Sequence, residues 1–222
     1  MWSVVFGEAE CPLMQAEFNI GSDRMRVNGF GVDSRFWTPA GTSGDGEYLL
    51  AVGNDSRRDY DLLVRVASRL PWKLILVTRQ TIPAPVPSNV ELRASSWHQE
   101  ALSDLELRDL YRGAACVLVP LIDSLQPSGQ SVTLQAMACG KAVVLTRTRG
   151  LWSPSEMRDG YNVVFVPPHD DAKLTQAIEA LMKDPARRAT LGDDARRTVQ
   201  EHFGIEFFAD RMEAVCRAAL AG

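Results

Sequence analysis

The sequence predicts an α/β domain built on a doubly wound, Rossmann-like parallel sheet, with extra helices at its carboxyl end. Three observations carry that expectation. Short, mostly apolar, β-branched runs recur from residue 47 onward; helical stretches alternate with them; and the last fifth of the chain reads as consecutive helices with no strand between them. The runs at residues 48–53, 73–78, 90–92, 116–120, 142–146 and 163–166 are mostly apolar on both faces, as strands covered from both sides are. Residues 59–70, 105–115 and 129–139 read as helices that connect them, and Pro83, Pro85 and Pro87 mark a surface loop before the third strand. At the carboxyl end, residues 170–183, 185–202 and 205–220 read as three helices. Asp170 and Asp171 open the first and Lys183 closes it, as the helix dipole prefers. Ile205, Phe208, Met212, Val215 and Leu220 give the last helix an apolar stripe that must dock on something. Residues 1–46 carry few periodic signals, and the stretch from Thr38 to Gly46 reads as a flexible connector.

Composition narrows the function classes. The chain has 222 residues, a formal net charge of −4 and 45% hydrophobic residues, which excludes disordered and fibrous classes. Its longest apolar run, from Ala114 to Val119, is far shorter than the roughly 18 residues that a membrane span needs, and no export signal is visible. Cys11, Cys116, Cys139 and Cys216 stand far apart, without Cys-x-x-Cys spacing, so a reducing cytoplasm fits best. Three histidines without paired Cys/His spacing argue against a structural metal site, and the slight acidity argues against nucleic acid as a partner. Of the 24 cations 20 are Arg, a side chain suited to forked contacts with phosphate.

In open α/β sheets ligands bind at the carboxyl ends of strands, where loops lead into helix amino termini that attract anions. Two loops here have that character. In Gly53-Asn54-Asp55-Ser56-Arg57-Arg58-Asp59-Tyr60 a glycine ends a strand and two arginines stand where a helix begins, which suits a phosphate; solvated surface charge is the other reading of Arg57 and Arg58. In Pro127-Ser128-Gly129-Gln130-Ser131, Ser128 fits a helix cap and Gly129 permits close backbone approach. Ser128, Ser131 and Gln135 share one face of the helix that follows, which invites a polar ligand; a cap and a neighbouring backbone partner would explain them equally. The two turns together predict a positively polarised cradle for a pyrophosphate group. The Gly-x-Gly-x-x-Gly, Gly-x-x-x-x-Gly-Lys-[Ser/Thr] and Gly-x-Ser-x-Gly motifs are all absent, which removes nicotinamide, nucleoside triphosphatase and α/β-hydrolase readings, and a receiver domain would need more carboxylates near Asp55.

The order of these pieces resembles the carboxyl-terminal, donor-binding domain of family 4 retaining glycosyltransferases with the two-domain GT-B fold. Gly29-Phe30-Gly31-Val32-Asp33-Ser34-Arg35-Phe36-Trp37-Thr38-Pro39 is similar to their interdomain linker, and Ala51-Val52-Gly53 through Leu63 to their phosphate loop. Pro127-Ser128-Gly129-Gln130-Ser131-Val132-Thr133-Leu134-Gln135-Ala136-Met137-Ala138-Cys139-Gly140 matches their most specific block, and Asp159-Gly160-Tyr161-Asn162 continues the pattern. On that resemblance residues 1–46 are a remnant of an amino-terminal domain plus linker, residues 47–204 the nucleotide-sugar-binding domain, and residues 205–222 a helix that crosses back. The resemblance implies a nucleotide-diphosphate sugar as donor, with no cofactor and no protein-bound metal. Transfer of a hexosyl-type group to an acceptor would proceed with retention, in carbohydrate biosynthesis, in the cytoplasm or peripherally at the inner face of a membrane. Its diphosphate would meet Gly53, Arg57, Arg58, Ser128 and Gly129, and its ribose and sugar Gln130, Ser131 and Gln135; Trp97 and His98, by their place in the loop after the third strand, suit a contact with the base, and a surface aromatic is the other reading. Arg58 falls at the family's phosphate-binding Lys, and Gln135 at the second glutamate of its paired glutamates. Pro127 replaces the first glutamate and Asn54 the Arg after the strand-ending glycine, while Arg57 supplies a cation beside Arg58. A GT-B enzyme also needs an acceptor-binding domain, so the resemblance implies that this chain is a fragment or truncated gene product, or that a separate polypeptide supplies that domain. A module that kept the fold and lost catalysis is the alternative.

Overall fold

A computed structural model describes residues 2–41, 46–82, 84–93 and 102–221. The chain begins with a parallel pair, β1 (Ser3–Val5) and β2 (Met25–Val27), joined through α1 (Cys11–Phe18). Then come β3 (Tyr48–Val52), α2 (Tyr60–Ala67), β4 (Leu74–Val77), β5 (Val90–Arg93), α3 (Asp104–Gly113), β6 (Ala114–Val119), α4 (Gln130–Ala138), β7 (Ala142–Thr146) and β8 (Val164–Val166). Three helices close the chain: α5 (Asp171–Met182), α6 (Pro185–His202) and α7 (Ile205–Ala221). The main sheet has six parallel strands in the order β5-β4-β3-β6-β7-β8.

Alternation along each strand builds two cores, because successive strand side chains point to opposite faces. Leu50, Ile75, Val117, Val119, Val143 and Leu145 pack with Tyr111 of α3, Met137 of α4 and Val199 of α6. Their neighbours Leu49, Ala51, Leu76, Leu118 and Val144 pack with Leu62 and Val66 of α2 and Ile178 of α5. Both faces are therefore dry, which is why the strands read as continuous apolar runs. Cys116 and Cys139 are buried in these cores, and burial pushes both thiols up to about 12, so they act as small hydrophobes.

Expected boundaries shift by a few residues, with one change of type. The expected helix over 105–115 ends at Gly113, because Ala114 and Ala115 enter β6, where Ala114 pairs with Tyr48. The amino-terminal segment carries β1, α1 and β2 and its own small core of Val5, Ile20 and Met25. The expected flexible connector starts on a fixed residue: Arg112 Nε and Nη2 donate to the Thr38 carbonyl at 2.8 Å and hydroxyl at 2.7 Å. Arg108 Nη1 similarly donates to the Phe36 carbonyl at 3.3 Å. The last helix docks on the linker: Arg211 Nε donates to Asn28 Oδ1 at 2.8 Å, and Gly31 lies against Phe208, whose Cβ a side chain at position 31 would meet at 2.6 Å. Its stripe is only partly covered, with Phe208, Met212 and Val215 half-buried and Leu220 90% exposed.

Candidate functional site

The order of the strands reverses between β3 and β6, and a crevice opens beyond the carboxyl ends of neighbouring strands at such a point. The loops over residues 53–59 and 120–129 both leave from it. They are stitched together by main chain: Ile122 N–H donates to the Arg57 carbonyl at 2.9 Å and Asp59 N–H to the Pro120 carbonyl at 3.1 Å. Phe30, Asp55, Ser56, Arg57, Arg58, Pro127, Ser128, Gly129, Gln130 and Ser131 line the resulting cleft, so seven of the eight residues expected at the diphosphate and sugar meet in one region or adjoin it. Gly53 adjoins it, because a side chain there would run into the Arg58 guanidinium. Gln135 does not line it: its Oε1 accepts from the Tyr111 hydroxyl at 3.2 Å, deeper in the fold.

Arg58 is the centre of the arrangement. Its side chain is 3% exposed and sits between the two glycines; a Cβ on Gly129 would stand 3.2 Å from Nη1. Nε lies 2.9 Å from Asp55 Oδ2 without an aligned hydrogen bond, and Nη1 has no hydrogen-bond partner among the described residues. An unmatched buried donor costs roughly 1–3 kcal/mol, more for a charged group, so it marks a place where an acceptor is missing. Gly129, with φ of 76°, is the amino-terminal cap of α4, and no side chain caps that end, so the first N–H groups of α4 add positive polarisation to the cleft.

Asp55 ties the two loops. Its Oδ1 accepts from Arg57 N–H at 3.1 Å and from the Ser128 hydroxyl at 2.8 Å. On the far side, Tyr60 donates its hydroxyl to the Gly53 carbonyl at 2.7 Å, and burial pushes its phenol up to about 12. Asp59 caps α2 through Leu62 N–H at 3.0 Å and holds His169 Nδ1 at 3.0 Å, which draws in the loop after β8.

Three expectations change on this geometry. The two arginines are not an even pair: Arg58 is buried against a carboxylate, while Arg57 is exposed at the rim. Ser128 does not cap α4; its hydroxyl goes to Asp55 and Gly129 takes the cap position, since a left-handed turn there suits glycine. Gln135 is turned to Tyr111 rather than to the cleft. Trp97 and His98 lie outside the described residues. Sequence reasoning missed Asp55 as a cleft residue. Its signal is an aspartate two residues before one backbone N–H and three before a guanidinium, the spacing of an Asx turn that also pairs with an i+3 cation. Among the described residues no group of three His, Cys, Asp or Glu side chains could hold a metal ion, and no helix is long and apolar enough to cross a membrane.

Comparison with known proteins gives consistent results. A family model described as "Glycosyl transferases group 1" matches residues 46–184, which takes in both loops of the cleft. The chain is 38% identical over 117 residues to a D-inositol 3-phosphate glycosyltransferase of Catenulispora acidiphila, covering 53% of this chain and 27% of that protein. It is 26% identical over 221 residues to the alpha-maltose-1-phosphate synthase of Mycobacterium tuberculosis, covering 86% of this chain and 56% of that one. The chain thus spans from about a quarter to about half the length of these relatives. Among solved structures, Anabaena Alr3699/HepE in complex with UDP-glucose superimposes with a TM-score of 0.79 at 14% identity, covering 98% of this chain and 64% of that one, a likeness of fold.

Proposed function

The chain belongs to the glycosyl transferases group 1 family, and from that premise we propose that its cleft binds the diphosphate of a nucleotide sugar as the donor-binding part of a glycosyltransferase. One observation carries the reading: a 97% buried guanidinium, Arg58, wedged between two glycines at the open start of a helix, with a donor nitrogen that no described residue satisfies. A phosphoryl oxygen is the acceptor that such a donor lacks, and glycine at 53 and 129 leaves the guanidinium the space to lie against the backbone of both loops.

In the transfer the bond between the sugar's anomeric carbon and the diphosphate oxygen breaks, the electron pair leaves with the diphosphate, and an acceptor hydroxyl forms the new bond to carbon as its proton passes to the departing diphosphate. Charge accumulates on the departing diphosphate. Arg58, Arg57 at the rim and the first N–H groups of α4 all border the cleft where that charge would develop, so they are placed to stabilise it. Ser131 and Gln130 begin α4 next to the same cleft and suit sugar or ribose hydroxyls. Retention of configuration, a carboxyl-terminal place in a GT-B enzyme and an acceptor site on another domain or chain belong to the same proposal; the resemblance of the motifs supports them, and the cleft does not bear on them.

Titration of the chain with UDP, GDP and ADP, followed by thermal shift, tests the reading. Binding and stabilisation by at least one of them is expected. No response to any of the three at millimolar concentration, by a chain whose circular dichroism shows it folded, would overturn it.

A further inference from the structure

Asp55 occupies a peculiar position for a residue in a diphosphate cleft. Its carboxylate accepts from the Arg57 N–H and the Ser128 hydroxyl and ion-pairs with Arg58 Nε at 2.9 Å, two donors and a cation that a phosphoryl group would also seek. Asp55 is 44% exposed in its side chain while Arg58 is 3% exposed, so the carboxylate lies on the solvent side of the cation. An anion entering the cleft meets a like charge first and reaches Arg58 only after that charge has moved.

The loop backbone around it is held independently. Asn54 Oδ1 accepts from Arg79 N–H at 2.7 Å, Gln80 Nε2 donates to the Asp55 carbonyl, and Arg58 N–H donates to the same carbonyl at 3.3 Å. The side chain can therefore rotate out toward solvent while the turn stays in place. Resting on the nucleotide-sugar reading of this cleft, we infer that Asp55 is a built-in occupant of the phosphate seat, a specificity-determining residue that a diphosphate displaces and a weaker anion does not. The physical consequence is a reduction in apparent affinity by the fraction of time that the seat is open. A ligand with a single weak charge gains too little to displace the carboxylate, whereas a diphosphate brings several oxygens to Arg58, Arg57 and the start of α4 at once.

The test is calorimetric titration of pyrophosphate, UDP and uridine into the wild-type chain, Asp55→Asn and Asp55→Ala. Asn keeps an oxygen for Arg57 N–H and Ser128 and removes the charge; Ala removes both, and circular-dichroism melting identifies either variant that fails to fold. Pyrophosphate and UDP are expected to bind each folded variant about tenfold tighter or more, as for a seat open about a tenth of the time or less in the wild type, with uridine unchanged. Wild-type binding of UDP with equal or weaker binding by the variants overturns the role of Asp55 and leaves the nucleotide reading standing. Pyrophosphate binding gained by the variants with no UDP binding by any chain upholds the occupied anion seat and removes the nucleotide reading. No binding of either ligand by any of the three overturns both.

Discussion

Arg58 carries a full charge on a side chain that is 97% closed to solvent, and the residues around it explain why the fold tolerates this. Asp55 offsets part of the charge, and two glycines let the backbone come within reach where any side chain would collide. Gly129 is the more demanding of the two. At φ of 76° it stands in the left-handed region, and a Cβ there would lie 2.7 Å from Val119 Cγ1 as well as 3.2 Å from Arg58 Nη1. Gly129→Ala is therefore expected to cost about 1–3 kcal/mol through backbone strain and to weaken diphosphate binding, read by thermal melting and by titration. A variant as stable as the wild type, with full binding, would show that the close approach is unimportant. At this scale Arg58 was legible in the sequence because a strand-ending glycine and a following cation are a local pattern. Asp55 was not, because its role comes from Ser128, which lies 73 positions away and reaches it only through the strand crossover.

Among the elements, α2 and α4 do most to set the cleft, since both start at it. α2 is capped by Asp59, and its first residue, Tyr60, reaches back to the Gly53 carbonyl. Burial raises the Tyr60 phenol from 10 to about 12, so the neutral phenol is favoured in the fold. Below pH 10 both folded and unfolded chains hold this proton, and the contribution is complete. Between pH 10 and about 12 the unfolded chain ionises first, and stability falls by about 2–3 kcal/mol in total from this group. The stability gap between wild type and Tyr60→Phe is expected to narrow over that window, as followed by denaturant titration at each pH; a gap constant with pH would contradict it. Cys116 and Cys139, pushed up to about 12 from an ordinary 9, lose stability in the same direction from pH 9 upward and leave that gap unaffected. The long apolar and amphipathic elements were readable because their periodicity is local. β1 and β2 have three residues each, too few for a period to appear, and the end of α3 was misread because alanines that favour a helix are taken by pairing with β3.

For the whole molecule, a crossover order of strands with its reversal between β3 and β6 puts two distant loops side by side, and the chemistry follows from that placement. Guanidinium bonds from α3 clamp the linker at Phe36 and Thr38, and α7 packs over residues 28–31, so the segment before the sheet and the last helix form one ledge beside the cleft through Phe30. The alternation of strands and helices was legible from the succession of apolar runs and periodic stretches; how α7 would dock was not, because an apolar stripe names no partner. The central claim is that the Arg58 guanidinium is a seat for phosphate. It is tested most directly by calorimetry of the tightest-binding nucleoside diphosphate and its bare nucleoside against the wild-type chain and Arg58→Ala. A loss of about 1–3 kcal/mol for the diphosphate, with the nucleoside unchanged, is the expected result; equal binding of the diphosphate by both chains, or an equal loss for diphosphate and nucleoside, would contradict it.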